Sequence, residues 1–164
     1  MKTYALDTNC FIDAVNPRSP SYRIMQCLLM ACRRGKVSLR VSLHTLHELE
    51  QKQDGALELA RTLPELPHSP VGAWDEQVGN WKQQTGSWDD GRRNDEIQLE
   101  LKALAKSGTD IRDRGGYIDA LCSGLDGFVT SDKQLVGLGP SKRINEWFST
   151  KVLTPEQLVK ELGV

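Results

Sequence analysis

Short apolar runs alternate with stretches of helical periodicity along most of the chain. Residues 3–6, Thr-Tyr-Ala-Leu, predict a buried strand that ends at Asp7. Phe11 to Val15 reads as a short helical turn closed by Asn16-Pro17. Between Ser21 and Arg34, Ile24, Cys27, Leu28 and Ala31 recur on one helical face, and Gly35 supplies a stop. Lys36 to Val41 alternates and carries β-branched Val37 and Val41, which predicts a second strand. Ser42 then caps a helix expected to reach about Gln53. Ala56 to Leu63 continues helically after Gly55, and Pro64, Pro67 and Pro70 make the next stretch a loop or an edge segment.

In the middle of the chain Trp74, Val78 and Trp81 fall at i, i+4 and i+7, predicting a helix from about Ala73 to Thr85. They belong to a Gly-x-Trp repeat at Gly72–Trp74, Gly79–Trp81 and Gly86–Trp88. Stacked bases would suit such a surface. Packing in a core or dimer interface is favoured over that use, because large aromatics dominate burial. Gly86 to Arg93 is turn-rich. Asn94 to Lys106 is helical, with Ile97, Leu101, Leu104 and Ala105 on one face, and Gly108 ends it. Asp110 to Gly124 predicts another helix, weakened at Gly115-Gly116. Gly127 to Thr130 is a buried strand with Ser131 and Asp132 just past its end, and Lys151 to Leu153 is the last strand. Thr154-Pro155-Glu156-Gln157 opens a final helix with a cap, a first-position proline and a capping-box glutamine. Strands alternating with helices imply an α/β class with a central parallel sheet covered on both faces. No linker divides residues 1–164, so one domain is expected.

Composition narrows the function. The chain holds 21 Lys plus Arg against 22 Asp plus Glu, a net charge of −1, which excludes a strongly basic nucleic-acid coat but not a local basic patch. The 38% hydrophobic content is too high for a disordered chain, and no apolar run can span a bilayer. The apolar start is too short for a signal peptide, so the expected compartment is the cytoplasm. Cys10, Cys27, Cys32 and Cys122 lack zinc-cluster spacing and are expected to be reduced and mostly buried. His44 and His47 lack a His-Glu-x-x-His pattern and are assigned to packing or polar surface.

In an open parallel sheet, ligands bind outside the carboxyl ends of the strands. Asp7 and Asp132 both follow predicted strands. Either alone would be an ordinary cap or turn residue. Two acids at one rim repel each other unless a cation lies between them. Hard divalent ions choose such oxygen ligands, and phosphodiester hydrolases use them to activate water.

The residues at these positions resemble the PIN-domain nucleases. Leu6-Asp7-Thr8-Asn9 looks like the family's opening. Ser42-Leu43-His44-Thr45-Leu46-His47-Glu48-Leu49 looks like its second acidic block. Asp113, then Gly124-Leu125-Asp126, then Thr130-Ser131-Asp132 looks like its last block, and 152–159 like its closing strand and helix. The resemblance covers both ends of the chain and leaves 64–108 without a motif. It implies a three-layer α/β/α PIN-like domain and a metal-dependent endoribonuclease. Asp7, Glu48, Asp113 and Asp132 would be its catalytic and Mg²⁺- or Mn²⁺-binding residues. Asp110 and Asp119 lie close to Asp113; Asp110 could share the site, whereas Asp119 would point elsewhere on a regular helix. Glu50 faces away from the Ser42–Thr45 line. Gly115-Gly116 departs from the aliphatic residues usual after the third acid.

Asn9, Thr130, Arg112 and Arg114 are the candidate substrate-binding residues. Thr130 would bond a carboxylate or a phosphate oxygen, and Asn9 would orient Asp7 or cap the next turn. Arg112 and Arg114 would contact RNA phosphates, while Arg33, Arg34, Lys36 and Arg40 are assigned to a solvated face. Similarity to VapC-like toxins implies an RNA substrate, an antitoxin protein as partner and a homodimer. Two alternatives remain. One is a catalytically inactive PIN fold that binds RNA or protein. The other is a receiver-like protein phosphorylated on Asp7, which lacks the expected neighbouring acid.

Overall fold

The computed structural model describes residues 1–52, 54–66, 115–136 and 149–164. The Trp-bearing helix, the Gly-x-Trp repeat, the helix expected at 94–106, and Asp110, Arg112, Asp113 and Arg114 lie outside the described residues. Strands β1 (Thr3–Leu6), β2 (Ser38–Arg40), β3 (Gly127–Val129) and β4 (Lys151–Leu153) form one sheet of order β2-β1-β3-β4. Every pairing is parallel, with Ala5 opposite both Arg40 and Phe128, and Phe128 opposite Val152. Around them lie helices α1 (Thr8–Val15), α2 (Tyr22–Arg33), α3 (Leu43–Glu50), α4 (Ala56–Arg61), α5 (Gly115–Cys122) and α6 (Pro155–Leu162).

Alternate side chains of each strand enter opposite cores. Tyr4, Leu6, Leu39 and Val129 pack with Phe11, Met25, Leu28, Leu49, Ala60 and Leu158 from the helices on one face. Ala5 and Phe128 pack with Tyr117, Ile118 and Leu121 of α5 on the other. Helices on both faces explain why β1 and β3 are buried along almost their whole length. This is the expected α/β/α layering with a central parallel sheet.

Local details depart from the sequence expectations. Helix α1 starts at Thr8, not Phe11, because Asp7 caps it by accepting from the Thr8 N–H. The buried stripe of α2 is Met25, Leu28, Leu29 and Ala31, while Ile24 is half-buried and Cys27 exposed. Almost every residue from 24 to 31 is apolar, so two overlapping faces were available and packing chose between them. Helix α3 ends at Glu50, short of Gln53. All four cysteines are free, but only Cys10 is fully buried, so the expectation of mostly buried thiols does not hold.

Past β2, Val41 forms a parallel bridge to Glu65, donating to the Pro64 carbonyl (3.1 Å) and accepting from Leu66 N–H (2.8 Å). The proline serves this edge only as an acceptor, as its missing N–H requires. The capping box of α6 forms as expected, with Thr154 and Gln157 exchanging hydrogen bonds and Gly163 closing the helix at φ 66°. Among the described residues no helix is long and apolar enough to cross a membrane.

Gly127 is where the sheet is tightest. A Cβ there would lie 2.7 Å from the Tyr4 ring and 3.1 Å from the Lys151 carbonyl. Gly127→Ala is therefore expected to lower stability by about 1–3 kcal/mol in denaturant titrations. An unchanged unfolding midpoint would show that the ring yields freely and that this contact does not set the β1–β3 fit.

Candidate active site

The β1–β3 pairing continues one step beyond the strands, where Asp7 N–H donates to the Val129 carbonyl at 2.9 Å. Asp7 and Thr130 thus leave neighbouring strands side by side. The strand order reverses direction between β1 and β3, so this is the switch-point crevice of the sheet.

Thr130 is fully buried, and its hydroxyl donates to Asp7 Oδ2 at 2.6 Å while accepting from Asp132 N–H at 3.0 Å. Of the two partners open to it, it meets a carboxylate. Asn9 spans the same gap: its Nδ2 lies 3.2 Å from Asp7 Oδ2 and 3.3 Å from Thr130 Oγ1, and its Oδ1 accepts from Ser131 N–H at 3.2 Å. Asn9 therefore orients Asp7 and ties the loop after β1 to the loop after β3. Asp7 Oδ1 takes the Thr8 N–H at 2.8 Å. Asp132 also serves its own turn, accepting from Gln134 N–H at 2.8 Å.

Glu48 arrives from the third side. Ser42, at the end of the β2 edge, caps α3 through Thr45 N–H at 3.0 Å, and the helix carries Glu48 toward the start of α1. Ser42 and Thr45 face inward and are buried. Glu48 Oε2 accepts from the Thr8 hydroxyl. Glu48 Oε1 lies 3.3 Å from His44 Nε2, one helical turn away. Glu50 is exposed and lies 3.9 Å from Arg61, on a different face as expected. His47 and the side chains of Arg33, Arg34 and Lys36 are exposed; Arg40 is half-buried.

Thr8 and His44 are contacts that sequence reasoning missed. The i, i+4 spacing of His44 and Glu48 is the one sequence signal that points to their contact. Nothing in the chain marks Thr8 as a partner of a residue forty positions away.

Asp7 responds to the acids around it. The Asp7 acid is pushed up to about 6: burial raises it most, the Thr130 and Thr8 hydrogen bonds oppose this, and the charges of Glu48 and Asp132 add to the rise. Burial also pushes Glu48 up, but hydrogen bonding from His44 and Thr8 and the attraction of His44 and Lys52 outweigh it, leaving Glu48 below its ordinary value.

The donor set is all oxygen, which suits Mg²⁺ or Mn²⁺. No three His, Cys, Asp or Glu residues among those described are close enough together to enclose an ion. Such ions commonly take only one or two carboxylates and keep several waters, so Asp7 with Asp132 or Glu48 is a sufficient beginning.

A raised acid destabilises the ionised fold. Below about pH 4 Asp7 is protonated in both the folded and the unfolded chain. Between about pH 4 and pH 6 only the folded chain holds the proton, so stability falls as pH rises. In EDTA at pH 7, Asp7→Asn is expected to stabilise the protein by about 1–3 kcal/mol, a gain that vanishes toward pH 4. Equal stability of the two proteins at pH 7 would show that Asp7 is not destabilised by its surroundings.

No protein-family model matches the chain, and no curated protein matches it in sequence. Its fold is similar to a chain in the crystal structure of VapBC2 from Rickettsia felis bound to a DNA fragment from their promoter, with a TM-score of 0.50 and 15% identity. The match covers 92% of this chain and 98% of that one. At that identity the likeness is one of fold: the chain shares with that structure a mixed α/β, PIN-like architecture in which helices flank a central parallel sheet.

Proposed function

We propose that the chain is a metal-dependent endoribonuclease of the PIN-like kind. The observation that carries the reading is the convergence of Asp7, Asp132 and Glu48 beside the β1–β3 crevice, close enough for the other two charges to raise Asp7. Like charges kept together under partial burial cost stability, and a bound cation removes that cost.

In this reading Asp7, Glu48, Asp132 and Asp113 hold Mg²⁺ or Mn²⁺ through carboxylate oxygens. An ion held there would supply an activated water and neutralise charge on the RNA phosphodiester. Thr130 and Asn9 fix the Asp7 carboxylate, and with their polar atoms engaged there they act on the substrate through Asp7. Arg112 and Arg114 contact RNA phosphates and position the substrate without reading its sequence. Resemblance to VapC-like toxins, together with the VapBC2 fold neighbour, supports a place in a toxin–antitoxin pair. An antitoxin that covers the crevice and a second copy of this chain belong to the same proposal, as does a cytoplasmic location.

Cleavage of a mixed RNA pool with Mn²⁺, with Mg²⁺ and with EDTA tests the activity, using wild type beside Asp7→Asn and Asp132→Asn. Metal-dependent cutting is expected, reduced about 100-fold or more in both variants while they stay folded. A folded wild type that neither cuts nor binds metal would move the assignment to an inactive PIN fold that binds RNA or protein.

A further inference from the structure

The two glycines that open α5 face α3. A Cβ on Gly116 would lie 3.2 Å from Thr45 Oγ1 and 3.4 Å from both Phe128 and Ser42 Oγ, a tight fit that a small yielding of these neighbours would relieve. Gly115 differs. A Cβ there would lie 2.6 Å from His44 Cγ and Nδ1 and 2.8 Å from Cε1, inside the volume of the imidazole. The His44 ring therefore rests on the bare backbone of Gly115, with its Nε2 3.3 Å from Glu48 Oε1. The other oxygen of the same carboxylate takes the Thr8 hydroxyl. Each oxygen of Glu48 thus has its own neighbour, the Thr8 hydroxyl of α1 by a hydrogen bond and the His44 ring of α3 at ion-pair distance, and the ring is seated by a third element, α5.

We propose that His44 is a positioning residue for Glu48, and that Gly115 is the seat that fixes the imidazole. A glutamate has three rotatable bonds, and its ordering in a half-exposed site is costly without partners at the carboxylate. Thr8 alone fixes one oxygen and leaves the carboxylate plane free to rotate. His44 at the second oxygen stops that rotation. In this role both residues act through Glu48. The role in catalysis rests on the proposed nuclease reading; the clamp itself does not.

The full chain is tested as wild type, His44→Ala, His44→Gln, Gly115→Ala and the Gly115→Ala/His44→Ala double variant. Three readouts are taken: Glu48 side-chain rotamer order by NMR in EDTA at fixed pH, Mn²⁺ affinity by calorimetry, and RNA cleavage with kcat and KM separated. His44→Ala is expected to average the Glu48 rotamers and to reduce Mn²⁺ affinity or kcat about 10- to 100-fold, with KM for RNA little changed. His44→Gln, which keeps a donor of similar reach, is expected to restore part of the loss. Gly115→Ala is expected to match His44→Ala, and the double variant to be no worse than either and to regain thermal stability over Gly115→Ala.

A Glu48 that stays in one rotamer without His44 would overturn the proposal. So would equal losses in His44→Ala and His44→Gln that track unfolding. A wild type that neither binds Mn²⁺ nor cuts RNA, with Glu48 ordered only when His44 is present, would remove the nuclease reading and keep the clamp.

Discussion

The parallel pairing of β1 with β3 determines where everything else in the described structure can go. Because Leu6 and Val129 are opposite one another, the chain leaves both strands at the same height. The Asp7 N–H is still bonded to the sheet, on the Val129 carbonyl. Any side chain at position 7 is therefore held within reach of Thr130, whose own N–H is bonded to Leu153 of β4 at 2.9 Å. Backbone groups at a sheet end must find partners. Meeting that demand here also fixes the two loops that carry the acids. Gly127 belongs to the same constraint, since a larger residue would push Tyr4 and the β1–β3 register apart.

Once the loops are fixed, electrostatics follows from the packing around them. Asp7 is half-buried between α1 and the sheet, with Glu48 and Asp132 near enough to raise its acid further. Its hydrogen bonds only reduce that effect. Glu48, more exposed and held by Thr8 and His44, moves in the opposite direction. Neighbouring carboxylates whose environments drive them apart mark a site more strongly than either acid alone. The asymmetry also gives the residues different standing: Asp7 is strained by its surroundings in the absence of a counter-charge, whereas Glu48 is already compensated.

The four polar side chains beside these acids come from three parts of the chain. Asn9 and Thr8 stand on α1, Thr130 follows β3, and His44 stands on α3 against the backbone of α5. The glycine pair that weakens α5 as a helix is thus the feature that lets it approach α3. Helix propensity is sacrificed for close packing, and the contact it allows lies beside Glu48.

The alternation of apolar runs and helical stripes by itself determined the α/β class, the parallel sheet and the order of the elements, because burial on two faces leaves a continuous apolar signature in a strand. It also put Asp7 and Asp132 at strand ends, since each apolar run stops at a residue that cannot be buried unpaired. Capping at Ser42 and Thr154 was equally legible, because a cap is a local hydrogen bond between residues three apart. The tertiary structure alone decided which side of α2 is buried, because Ile24, Met25, Cys27 and Leu28 offer two nearly equal apolar faces. It alone decided that Thr130 and Asn9 serve Asp7, that Thr8 and His44 hold Glu48, and that Gly115 makes room for an imidazole. Thr130 and Asp7, Thr8 and Glu48, and Gly115 and His44 are separated by scores of positions, and their distances depend on the register of β1 against β3 and the depth at which α5 lies on α3, neither of which any local pattern of residues encodes; Asn9 and His44 lie close in sequence to the acids they meet, but the same packing sets their final geometry.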